Sequence, residues 1–95
     1  MPSVSLAAAP DTEGEPSPAT VLFSVHARAE PGVMPRLIEL FAKRGLVPRS
    51  WHSIRSGSAL TIELGIDRLD DELAQYIARS MRQIVGVETV LTSAG

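Results

Sequence analysis

The strongest constraint in this sequence is a hydrophobic period that switches from two to 3.6 residues and back, twice over. The segment TVLFSVHAR, residues 20–28, puts Val21, Phe23, Val25 and Ala27 on one face. Ser24, His26 and Arg28 fall on the other, with Leu22 as the exception, so the segment reads as a half-buried strand. Glu30, Pro31 and Gly32 break it, because Pro31 has no N–H and Gly32 can take a positive φ. From Val33 the period is helical. Val33, Leu37, Leu40 and Phe41 form an apolar stripe, widened by Met34 and Ile38, while Arg36, Glu39 and Lys43 lie opposite. Pro35 is tolerated in the first turn, and Lys43 and Arg44 followed by Gly45 give a basic last turn and a terminating glycine.

The same alternation of periods then returns. Residues 46–56 read as a less regular strand with Pro48 inside it, the mark of an edge position. Ser56, Gly57 and Ser58 make a short hairpin connection, and residues 59–66 alternate cleanly through Leu60, Ile62, Leu64 and Ile66. Asp70 is placed to cap a second helix, with Asp71 and Glu72 at its positive end and Leu73, Ala74, Ile77, Met81 and Ile84 as its buried stripe. Gly86 ends that helix, and residues 87–92 form the last strand. The order is βαββαβ. Right-handed crossovers turn it into an α+β, ferredoxin-like arrangement: a four-stranded antiparallel sheet in order 4-1-3-2, with two helices on one face.

Residues 1–19, MPSVSLAAAPDTEGEPSPA, do not share this pattern. They hold four prolines and three acids but no basic or aromatic residue, so they cannot bury enough apolar surface to offset the entropy of ordering. The expectation is a disordered N-terminal tail over residues 1–19 and one domain over residues 20–95. The tail lacks a basic n-region, no run approaches the roughly 20 apolar residues of a membrane span, and a cytoplasmic protein is expected. With no cysteine there are no disulfides and no thiolate metal sites. Without Asp11, Glu13 and Glu15, the domain's nine basic and eight acidic side chains nearly balance, which argues against general nucleic-acid binding. A domain of about 76 residues buries only roughly 60% of its unfolded surface, so an oligomer is expected.

Few residues suggest chemistry. His26 and His52 have no ligand partner that can be placed near them, so neither is assigned to a metal. Asp70, Asp71 and Glu72 are accounted for as helix cap and dipole partners, the serines lack a general base, and no catalytic residue is assigned. Phe23 shares a face with Val21 and Val25, which leaves no aromatic platform for stacking RNA bases. Trp51, on the expected edge strand, suits either half-buried packing or an interface anchor. The turn from Glu30 through Met34 is different. It feeds a strand end straight into a helix start, where free N–H groups and the helix dipole favour a carboxylate, including that of an amino acid.

The segment Arg28-Ala29-Glu30-Pro31-Gly32-Val33-Met34, followed by Leu40-Phe41-Ala42-Lys43-Arg44-Gly45-Leu46, resembles the ACT domain of acetolactate (acetohydroxyacid) synthase small subunits. The likeness covers about residues 21–92. It implies a non-catalytic regulatory subunit of branched-chain amino-acid biosynthesis. Such a subunit is a homodimer that binds a small amino-acid effector at the turn formed here by Gly32, Val33 and Met34. It activates a separate large catalytic subunit, and thiamine diphosphate, Mg and FAD would belong to that partner. Valine-sensitive members usually carry asparagine at the positions of Ala29 and Val47, so the resemblance points to a subunit without valine feedback. Arg36, Lys43 and Trp51 are the candidate contacts to the partner. Two other readings share the topology: a free-standing ACT amino-acid sensor serving another enzyme, and an RNA-binding module.

Overall fold

The computed structural model describes residues 19–94, and the expected tail, apart from Ala19, lies outside the described residues. The elements are β1 (Thr20–Arg28), α1 (Val33–Ala42), β2 (Ser50–Ser56), β3 (Ala59–Asp67), α2 (Asp71–Arg82) and β4 (Val87–Ala94). All three strand pairings are antiparallel, in the order β2-β3-β1-β4, as the pattern of periods required.

The expected alternation of β1 sets the register. Val21, Phe23, Val25 and Ala27 are buried, and they stand opposite Ile66, Leu64, Ile62 and Leu60 of β3. The two helices cover that face. Phe41 of α1 meets Phe23 of β1 edge to face, with ring centroids 5.9 Å apart, and Ile77, Ala78 and Met81 of α2 complete the core.

Two expectations about local structure are corrected. β2 begins at Ser50, not at residue 46, so Pro48 precedes the strand. The reason is the close of α1. Gly45 takes φ 71°, its N–H donates to Ala42 C=O at 3.0 Å, and Leu46 N–H donates back to Phe41 C=O at 2.9 Å. That Schellman-type closure redirects the chain, and Pro48 has no N–H to offer a ladder. β2 is nevertheless an edge strand. Met34 and Ile38 do not widen the buried stripe of α1. They are 37% and 46% exposed, and with exposed Ala42 they form a second stripe at i, i+4, i+8 along the helix flank.

α2 starts as its sequence requires. The Asp70 carboxylate accepts from Glu72 N–H at 3.0 Å and Leu73 N–H at 3.3 Å. At the other end of the sheet, Asp67 accepts from Thr20 Oγ1 at 2.8 Å and from Arg49 Nη1 at 2.6 Å. The Thr20 hydroxyl first, and the Arg49 guanidinium second, hold the Asp67 carboxyl below its ordinary range.

Candidate functional site

The β1–α1 turn is tied down on two sides. Ala29 N–H donates to Ser58 C=O at 2.9 Å, which fixes the turn to the β2–β3 hairpin. Arg28 N–H donates to Gly86 C=O at 2.8 Å, which fixes it to the loop before β4. Gly57 supplies the positive φ, 60°, that lets β2 and β3 join through two residues. The hairpin therefore holds the middle of β2 beside the turn, and between them lies a groove of about 450 Å³. Ala29, Glu30, Pro31 and Met34 line it from the turn, and Ser53, Arg55 and Leu60 from the hairpin.

The turn residues divide the work. Val33 is fully buried and its N–H donates to Glu30 C=O at 3.1 Å, so it anchors the turn in the core. Gly32 is the N-cap of α1, with φ −81°, so the turn does not use the positive φ that a glycine allows. Met34 is the member of the three that lines the groove. Among the described residues no acceptor meets the main-chain N–H groups of Gly32 and Met34, and Pro31 has none to offer. They sit at the positive end of α1.

Charge around the groove is mixed. Glu30 brings a carboxylate, which the Arg28 guanidinium pairs at 3.0 Å. Arg55, on β2, donates to Gly57 C=O at 2.9 Å. Arg36 is exposed, and its guanidinium folds back over Gly32: a Cβ on Gly32 would collide with it, with Arg36 Cζ at 3.0 Å. Arg36 therefore stands at the turn as well as on the outer helix surface. A carboxylate can meet N–H groups and guanidinium here, an ammonium can meet Glu30, and Met34, Ala29 and Leu60 offer apolar contact. The groove thus brings hydrogen-bond donors, both signs of charge and apolar surface together within one turn and one hairpin.

Lys43, the C-cap of α1, is exposed and does not line the groove. Trp51 is half-buried and packs against the core from the helix-covered side of β2, opposite Leu64. Glu30, Ser53 and Arg55 were not singled out as site residues from the sequence. Glu30 was legible as a turn residue. Arg55 was not, because only the pairing of β2 with β3 brings it to the turn. His26 and His52 are exposed on the sheet face away from the helices, where His52 stands opposite Glu63 and His26 opposite Thr61. Among the described residues no group of three or more His, Asp or Glu side chains could hold a metal ion. No helix of the described residues is long and apolar enough to cross a membrane.

Comparison with known proteins agrees with this architecture. Residues 15–94 match a family described as an ACT-like domain. Among solved structures, the ACT domain from GTP pyrophosphokinase of Chlorobium tepidum is similar, at 15% identity and a TM-score of 0.69, covering 78% of this chain and 96% of that one. The C-terminal domain of the MgtC protein from Mycobacterium tuberculosis has 15% identity and a TM-score of 0.66, over 80% of this chain and 86% of that one. The aspartokinase alpha and beta subunits give 13% identity and a TM-score of 0.66, over 82% of this chain and 51% of that one. At these identities the likeness is one of fold. No curated protein matches the sequence.

Proposed function

The chain belongs to the ACT-like domain family, and from that premise we propose that it is a non-catalytic regulatory subunit that senses an amino acid. The observation that carries this reading is the groove between the β1–α1 turn and β2, with its N–H donors and opposed charges. In the proposed complex the effector carboxylate meets Gly32 and Met34 N–H and the guanidinium groups of Arg36 and Arg55. Its ammonium meets Glu30, and its side chain lies on Met34. Val33 holds the turn in place.

The proposed assembly is a homodimer through the flank that contains β2 and α1. β2 presents an unpaired strand edge, and beside it Met34 and Ile38 expose apolar surface that a monomer leaves in water. Two copies side by side would cover both, and would place each groove next to the partner's edge. Binding at that seam can then favour one arrangement of the pair, which is how a ligand shifts a population without chemistry.

For the regulated enzyme we propose the large, thiamine-diphosphate-dependent subunit of acetolactate synthase, on the strength of the block from Arg28 to Met34 and the block from Leu40 to Leu46. Thiamine diphosphate, Mg and FAD belong to that partner. Ala29 and Val47 leave out two amide side chains, so valine is not the proposed effector. Arg36, Lys43 and Trp51 remain the proposed partner contacts. A second reading is a free-standing ACT sensor that serves another enzyme, which the same groove would equally suit.

Two measurements test these layers separately. Calorimetric titration with single amino acids should give saturable binding that Arg55→Ala and Glu30→Gln each weaken at least about tenfold, the cost of about 1.4 kcal/mol for a lost charged partner. No binding by any amino acid ends the sensor reading. Capture of interacting proteins from the native host should bring down a thiamine-diphosphate enzyme, and a different enzyme class would end the acetolactate synthase assignment alone.

A further inference from the structure

The sheet face opposite the helices carries a second concavity, of about 530 Å³, which the sensor reading does not use. Its lining includes the apolar Leu22 and Leu91 and the polar Ser24, Ser50, His52 and Glu63. Leu91 is 59% exposed. Apolar side chains gathered in a groove on an exposed sheet face call for a cover.

The position where the chain enters the fold says what that cover is. β1 is a central strand, and it starts at Thr20, two residues before Leu22. The preceding chain therefore leaves from the middle of the sheet's end, beside the row formed by Ser50, Gly65, Leu22 and Ser93. Arg68 N–H donates to Ala19 C=O at 2.8 Å and fixes that exit. The residues ahead of Ala19 can span roughly 60 Å when extended, at about 3.3 Å per residue, whereas the domain measures 38 × 34 × 21 Å. The groove is well within reach.

The segment also fits in kind. Val4 and Leu6 alternate with Ser3 and Ser5, the period of an extended chain, and the groove pairs leucines with hydroxyl groups. Asp11, Glu13 and Glu15 make the connecting stretch purely acidic, which suits the exposed Arg68 at the exit. The ACT-like match begins at residue 15, ahead of β1, so the stretch that enters the sheet is continuous with the domain.

We propose that residues 3–9 of this chain dock on its own outer sheet face, with Val4 and Leu6 over Leu22 and Leu91. A segment too short to build a core of its own can order on a preformed surface, because the surface supplies the apolar partners. Covalent attachment keeps it at an effective concentration on the order of mM, and the closure cost grows only slowly with the length of the connecting loop.

The absence of cysteine makes the test direct, since Ser5→Cys in the full chain accepts a single nitroxide. The label should erase the methyl signals of Leu22 and Leu91 while sparing Ile38 on the helix side, and adding Leu6→Asp should restore them. No loss at Leu91, or equal loss at Leu91 and Ile38, overturns the proposal. So does loss that appears only in isotope-enriched, label-free chains mixed with labelled ones, which would assign the face to a second copy.

Discussion

The Arg36 guanidinium lies over the α-carbon of Gly32, four residues before it on the same helical start. A side chain at position 32 would evict it. Gly32 has φ −81°, which alanine adopts freely, so Gly32→Ala should keep the fold and add up to about 1 kcal/mol through the unfolded chain. The same change should weaken amino-acid binding, because it displaces a cation from the turn beside the groove. Thermal melting and calorimetry on one sample check both halves: equal affinity would detach Arg36 from the site.

The Ile38 side chain, 46% exposed, belongs to the flank proposed for pairing. Ile38→Asp should leave the melting curve of the isolated domain nearly unchanged, since surface changes usually stay within about 0.5 kcal/mol. It should convert a dimer to a monomer in sedimentation velocity. A dimer that persists would move the interface away from this flank.

Phe41 is fully buried against Phe23. Phe41→Ala should cost about 3–5 kcal/mol, a large share of the roughly 4–11 kcal/mol expected of a domain this size. Urea denaturation should show a partly unfolded population in buffer. A loss below about 1 kcal/mol would contradict the packing described for this ring.

Asp67 binds protons less readily in the folded state than in the unfolded state, because the Thr20 hydroxyl and the Arg49 guanidinium favour its carboxylate. Its contribution to stability is therefore complete above the ordinary carboxylate range. It fades as pH falls through that range toward the lowered folded value. Asp67→Asn should lower the melting temperature at neutral pH and bring the wild-type and variant curves together in acid. A constant gap down to strongly acidic pH would show that the carboxylate charge is not what matters there.

Much of this molecule can be read from one dimension. The alternation of residues 20–28 and 59–66, the caps at Asp70 and Gly45, and the break at Pro31 and Gly32 specify element types and their order, because each depends on neighbours within a turn or two. The order of elements, with the handedness of crossovers, then leaves one sheet arrangement. The location of the turn as a candidate site was legible for the same local reason. Pro48 misled, since a proline marks a break without saying on which side of it the strand begins.

What surrounds the turn was decided only in three dimensions. Arg55 and Ser53 reach the groove because β2 pairs with β3 in a register fixed by the Gly57 hairpin, and because Ser58 C=O holds Ala29. Val33 turning inward was legible as part of the apolar stripe, but the Arg36 guanidinium folding back over Gly32 was a choice of rotamer that the spacing alone does not make. Period and capping are properties of adjacent residues, whereas a binding groove is made by segments distant in sequence, and their meeting depends on the register of the whole sheet.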